Sequence, residues 1–238
     1  MIDNSKNKKS SVDLYNSIAD YYQVYSEQRI GYLSSVNDII CKIAGDRKRY
    51  MDVGAGTGLS SIIISRRVRA EQIVLLDNSE RMLAKAPESE TIRKVIASIT
   101  DYCDPQKFDL ITCLWNVFGH INGDAYRHKA LVNICNMLDD DGLVAIDVNN
   151  RYNVSHYGFK AFLKNVWNDL VHARRRGIFP LDFDGCLSEV YIHNPFEMER
   201  SAEKCGLRLR KKYYVNYEDG SIVKTLFSGQ ILYFFEKN

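Results

Sequence analysis

Between residues 49 and 148, short apolar runs alternate with stretches of helical periodicity. This rhythm restricts the fold more than any other feature of the chain. Residues 49–53, 72–76, 94–99, 108–114 and 142–148 read as strands, and residues 59–68, 79–86 and 124–138 as helices. Runs such as IVLL and LITCL are apolar almost without a break. Strands of that kind are buried on both faces, which a parallel sheet covered by helices provides. The alternation predicts an α/β fold with a doubly wound, mostly parallel sheet.

The flanks follow other patterns. Residues 1–10 form a polar tail, MIDNSKNKKS, with no apolar segment of the signal-peptide kind. In SSVDLYNSIADYYQVY, Leu14, Ile18, Tyr21 or Tyr22, and Tyr25 fall on one helical stripe, and Ser10 with Asp13 forms a capping box. A second helical pattern covers residues 32–43. Beyond residue 150 the rhythm changes. Residues 157–176 read as a helix carrying Phe159, Phe162, Leu163, Val166, Trp167 and Leu170, and ending in Arg174, Arg175 and Arg176. Residues 186–193 read as a strand, and 195–204 as a helix opened by Pro195 and closed before Gly206. Residues 207–217 and 226–236 read as strands joined by the turn EDGS. The expected organisation is one domain over residues 11–238. Lid helices span 11–45, and a cap insertion spans about 151–190.

Composition excludes several classes of function. With 45% hydrophobic residues among 238, the chain supports a sizeable core. A net charge of +2 supplies no broad field for nucleic acid or acidic membrane. No apolar run approaches the roughly 20 residues that span a bilayer. The six cysteines, Cys41, Cys103, Cys113, Cys135, Cys186 and Cys205, form no C-x-x-C pair and have no His at metal-finger spacing. They read as reduced core thiols of a cytoplasmic protein, with no metal expected.

The stretch MDVGAGTG, at residues 51–58, ends the first strand. A glycine turn there brings backbone N–H groups to the carboxyl edge of the sheet, where ligands bind. Gly54, Gly56 and Gly58 are spaced G-x-G-x-G, so Leu59 stands where a dinucleotide fingerprint needs its third glycine. No Lys follows Gly58, which removes the Walker reading. Asp52, just before the turn, repels phosphate and attracts a cationic group. Asp77 ends the second strand, where a carboxylate either accepts ribose hydroxyls or caps the helix beyond it.

The pattern D-x-G-x-G-x-G at the end of a first strand resembles motif I of class I S-adenosylmethionine (SAM) methyltransferases. The stretch FDLITCLWNVFGHI, residues 108–121, resembles a narrower group, glycine N-methyltransferase and the amino-sugar N-methyltransferases of antibiotic biosynthesis. YNSIADYYQVYSEQR resembles the tyrosine-bearing N-terminal helix of the same group. The resemblance implies a Rossmann-like sheet of seven strands with an antiparallel last strand, and SAM as cofactor. It implies that Gly54, Ala55, Gly56 and Gly58 make room for the amino acid end of SAM, above Asp52 and beside Leu114. Asp77 and Asn78 then meet the ribose, with Ser98 and Ile99 at the adenine. Ser98 departs from the acidic residue usual there. Met82 either packs on adenine or belongs to the core. Tyr25 reaches the cofactor and Arg29 pairs with its carboxylate. Tyr22 lies on the same turn.

Methyl transfer from a sulfonium is a one-step displacement in which alignment supplies much of the acceleration. A base is needed only if the nucleophile must lose a proton. His120 is the candidate base or orienter, or else a structural His. Asn116 offers a carbonyl to orient an amine, and Trp115 walls the site or packs. The stretch 116–119 lacks the prolines of base-methylating enzymes. Arg66, Arg67, Arg69 and Arg174–Arg176 form short clusters that read as solvated faces, the last three alternatively meeting an anionic substrate group. The expectation is a small-molecule methyltransferase, a monomer or homodimer, acting on nitrogen. The alternatives are an O-methyltransferase of a small acid or hydroxyl metabolite, an RNA or protein methyltransferase, and a non-catalytic binding module.

Overall fold

The computed structural model describes residues 10–183 and 185–238. Nearly all of the expected polar tail therefore lies outside the described residues.

The sheet has eight strands. They are β1 (Arg49–Val53), β2 (Gln72–Asp77), β3 (Ile92–Ile96), β4 (Phe108–Cys113), β5 (Leu138–Val148), β8 (Leu207–Val215), β9 (Ile222–Val223) and β10 (Gln230–Lys237). Their order is β3-β2-β1-β4-β5-β10-β8-β9. β1 to β5 pair in parallel, and β10 runs antiparallel between β5 and β8. The strand count exceeds the expected seven by β9, a two-residue strand. The EDGS turn leads into β9 rather than directly into the last strand, which begins only at Gln230.

Helices cover both faces because the parallel strands are apolar on both. On one face Met51, Val53, Val74 and Leu76 pack with Ala130, Leu131, Ile134 and Met137 of α6 (Asp124–Met137), and with Met198 and Ala202 of α9 (Glu197–Glu203). On the other face Tyr50, Ile73 and Leu75 meet Tyr32, Val36, Ile39 and Ile40 of α3 (Ile30–Ala44), and Ile64 of α4 (Leu59–Arg67). Each such side chain, fully buried, contributes about 1.5–3 kcal/mol. The connections reverse direction between β1 and β4, which sets the ligand edge of the sheet at the end of β1.

The N-terminal pattern breaks into α1 (Ser11–Ile18) and α2 (Tyr22–Glu27). Ser10 caps α1, its Oγ accepting from the Asp13 N–H at 3.1 Å. α1 docks on α5 (Glu80–Leu83), where Ser79 donates to Asn16 at 2.6 Å and Arg81 and Lys85 both pair with Asp20 at 2.8 Å.

The expected long helix over 157–176 is two helices, α7 (Val154–Tyr157) and α8 (Phe159–Leu170). Gly158, at φ +82°, breaks the run. Beyond α8, β6 (Ile178–Phe183) pairs antiparallel with β7 (Cys186–Tyr191), where sequence periodicity shows only the second strand. Arg151, 1% exposed, ties this region together through Asp169 at 2.5 Å and Glu197 at 2.6 Å. The six cysteines form no disulfide, but they are not all core. Cys113 is buried and Cys103 exposed, because strand register and loop position decide burial. Among the described residues no helix is long and apolar enough to cross a membrane.

Candidate active site

The glycine turn between β1 and α4 adopts left-handed backbone at Gly54 (φ +72°), Gly56 (+56°) and Gly58 (+75°). Gly54 and Ala55 donate to the Leu76 carbonyl at 2.7 and 3.0 Å, which fastens the turn to β2. A Cβ on Gly54 would stand 2.4 Å from Val117, and one on Gly56 3.2 Å from Met82. A Cβ on Gly58 would instead meet Leu75 and Ala86 in the core. Gly58 thus permits helix–strand packing, while Gly54 and Gly56 let Val117 and Met82 close against the turn.

Two carboxylates organise this turn. Asp77 accepts from the N–H groups of Gly56 and Ser79, both at 2.8 Å, bridging the turn to the start of α5. Burial raises its pKa against the pull of those donors. Asp52 is 4% exposed and accepts from Ser61 Oγ at 2.5 Å and Thr112 Oγ1 at 2.6 Å. Desolvation pushes its pKa up to about 6, with the two hydroxyls opposing.

The end of β4 turns sharply. Trp115 (φ +62°) and Asn116 (φ +54°) are consecutive left-handed non-glycine residues, each costing about 1–3 kcal/mol. Asp147, at the end of β5, offsets this strain. It accepts from the Asn116 N–H at 2.8 Å and from Tyr32 Oη at 2.8 Å. Its burial raises its pKa to about 6. The Asn116 side-chain carbonyl accepts from the Asn149 N–H at 2.9 Å, so it joins two strand ends rather than standing free.

His120 ends the 3-10 turn Val117–His120. Its Nε2 shares a 3.1 Å hydrogen bond with Tyr15 Oη, and its Nδ1 is buried without a partner among the described residues. Burial lowers its pKa to about 4, so the imidazole is neutral near pH 7.

These residues enclose three cavities of about 90, 100 and 40 Å³. Gly54, Gly56, Asp77, Asn78, Met82, Ser98 and Ile99 line the first. Tyr25, Asn116, Asp147, Asn149 and Tyr217 line the second, and Asp52, Ala55 and Leu114 the third. Tyr22 and Trp115 stand in the walls of all three, and Tyr15 and His120 in two. Among the described residues no Lys or Arg lines any of them. Arg29, expected at the cofactor carboxylate, lines none of them. It pairs with Glu218 at 2.6 Å and lies over the Tyr217 ring at 4.6 Å. Tyr15, Asp147 and Tyr217 were not expected here. A carboxylate at the end of the apolar run LVAIDV was the available signal for Asp147. Tyr15 lies off the apolar stripe of its helix, and nothing local marks it.

The cavities fit SAM by their own chemistry. Gly54 and Gly56 line the first cavity with bare backbone, Asp77 stands beside them, and among the described residues the Trp115 Nε1 and His120 Nδ1 atoms are buried without hydrogen-bond partners.

Residues 51–142 match a family described as a methyltransferase domain. The fold is similar to that of an S-adenosylmethionine-dependent methyltransferase from Clostridium acetobutylicum. That structure superposes with a TM-score of 0.64 over 94% of this chain and 99% of that one, at 17% identity. The chain is thus similar in fold to SAM-dependent methyltransferases, and over residues 51–142 to the methyltransferase-domain family. Outside structure, the domain is similar to a glycine/sarcosine N-methyltransferase of Aphanothece halophytica, at 31% identity over 123 residues. That match covers 48% of this chain and 45% of that protein. It is also similar to a glycine/sarcosine/dimethylglycine N-methyltransferase of Actinopolyspora halophila, at 25% identity over 63% of this chain and 26% of that protein. The methyltransferase domain therefore spans less than half the length of either relative.

Proposed function

We propose that this chain transfers the methyl group of SAM to the nitrogen of a small-molecule acceptor by direct displacement. One observation carries the reading. The cavities at the ligand edge are aromatic and partly open, hold the buried carboxylates Asp52 and Asp147 and the half-buried Asp77, and among the described residues present no Lys or Arg. Such walls favour cationic ligands over polyanions. When bound, SAM supplies a methyl group already activated by its sulfonium.

In this reading Asp77 and Asn78 take the ribose, and Met82, Ser98 and Ile99 face the adenine. Gly54, Ala55 and Gly56, with Leu114 and Asp52, accommodate the amino acid end. Gly58 and Arg29 act from outside, by packing and by holding the lid to the β8–β9 turn. Tyr15, Tyr22 and Tyr25 close the site from the N-terminal helices and exclude water. His120, neutral and oriented by Tyr15, positions the acceptor nitrogen. Asn116 acts as a positioning residue through Asn149. The N-methyltransferase names of the two sequence relatives support nitrogen over oxygen, as do aromatic walls that stabilise an ammonium.

The test is label transfer from methyl-labelled SAM to extract fractions separated by size, followed by panels of amines, alcohols and carboxylic acids. The expected result is label in the small-molecule fraction and turnover with amines. Label confined to RNA or protein fractions would defeat the proposal, and turnover with alcohols or acids alone would move it to oxygen.

A further inference from the structure

The Val117–His120 turn has two sides. Val117 and His120 line the cavities described above, whereas Phe118 lines a separate cleft of about 570 Å³. This cleft lies between α8, α9, the start of α6 and the end of β7.

Its charges do not cancel. The carboxylates in its walls are already engaged, Asp169 and Glu197 by Arg151 and Asp124 by Arg127. Arg127 also lies 3.8 Å over the Tyr191 ring. Arg176, Arg200 and Lys204 remain. None has a carboxylate within ion-pair distance among the described residues. Of the basic run noted in the sequence, Arg175 pairs with Glu189, and only Arg176 enters the cleft.

A second, independent feature sits deeper. His193, 3% exposed, lines the cleft, and its Nδ1 lacks a hydrogen-bond partner among the described residues. Burial, then the nearby Arg127 and Arg151, hold its pKa well below the usual range, so the imidazole stays neutral. Leaving a buried polar atom unpartnered is unfavourable, and a bound ligand's polar group would offset that cost. The remaining wall is apolar or aromatic, with Phe118, Tyr152, Leu170 and Phe196.

We propose that this cleft is a second ligand site, separate from the methyl-transfer cavities, for a small aromatic anion. Its carboxylate or phosphate meets Arg176, Arg200 and Lys204. Its ring lies against Phe118 and Tyr152, and a polar substituent reaches His193. The inference does not depend on the methyl-transfer reading, because none of the three cations lines the SAM-side cavities.

The probe is phenyl phosphate, titrated calorimetrically into the full chain at constant ionic strength, with and without saturating S-adenosylhomocysteine (SAH). The expected result is saturable one-to-one binding that SAH changes by less than twofold. The double variant Arg200→Ala/Lys204→Ala should weaken it at least about tenfold, a difference of about 1.4 kcal/mol. Both side chains are exposed, and an unchanged thermal midpoint confirms that the variant folds. Arg67→Ala, an exposed cation on α4, should bind as the wild type does. Absence of saturable binding at millimolar probe would overturn the proposal. So would displacement by SAH, or wild-type affinity in the double variant.

Discussion

Replacing Asp52 by Asn keeps the shape of the side chain and removes a buried charge from the centre of the sheet. In the folded chain its carboxyl titrates at about 6 against an ordinary 3.8, because desolvation outweighs the Ser61 and Thr112 hydroxyls. The folded state thus binds the proton more tightly than the unfolded state does. Stability from this group is greatest at low pH, falls as pH rises from about 3.8 to 6, and stays reduced above that. Two units at 1.36 kcal/mol each amount to about 3 kcal/mol. Asp147 has the same sign, with its pKa also raised to about 6. His120, lowered to about 4, and His193, lowered well below 6.5, have the opposite sign. Between those values and 6.5 the unfolded chain binds their protons, so stability rises with pH. The wild-type curve therefore partly cancels, and the difference between variant and wild type isolates Asp52. Urea unfolding of SAM-free protein should give a difference, Asp52→Asn minus wild type, that rises by about 2–3 kcal/mol from pH 4 to pH 7, steepest near pH 5. The altered hydrogen bonds with Ser61 and Thr112 add a pH-independent offset of about 1 kcal/mol. A flat or falling difference curve would refute the argument that desolvation dominates at this site.

Asp77→Ala should weaken SAM and SAH at least about tenfold by calorimetry, since hydrogen bonds to a charged group contribute about 1.5–3 kcal/mol; unchanged affinity would remove Asp77 from the cofactor site. Tyr15→Phe deletes the hydroxyl that orients His120. Turnover should fall by about tenfold or more while SAH affinity and the thermal midpoint hold. Wild-type turnover in both this variant and His120→Ala would eliminate the pair from the reaction. Arg151→Ala leaves Asp169 and Glu197 facing each other without their shared cation. It should cost about 3–5 kcal/mol in denaturant unfolding, and a loss below 1 kcal/mol would show that water replaces the guanidinium.

Local chemistry made much of the framework readable in advance. Apolar runs with period-free burial, separated by helical stretches, lead to a doubly wound parallel sheet because few other arrangements cover both faces of such strands. Glycine spacing and the acidic residue at the end of the second strand mark the ligand edge for the same reason: turn geometry and strand direction are local. The cap was less legible. The stripe Phe159 to Leu170 falls within one helix, but that helix begins only after Gly158 and stops short of the expected 176, with His172 left-handed just beyond it. The strand Ile178–Phe183 exists only because Cys186–Tyr191 pairs with it.

What tertiary structure alone decided is which side chains meet. Arg29 finds Glu218 across 189 residues, Tyr15 finds His120 across 105, and Tyr32 finds Asp147 across 115. Periodicity assigns a residue to a face. Sheet register and the docking of the N-terminal helices and of residues 151–191 determine what that face touches, and so which carboxylates are desolvated and which cations lack a carboxylate partner among the described residues.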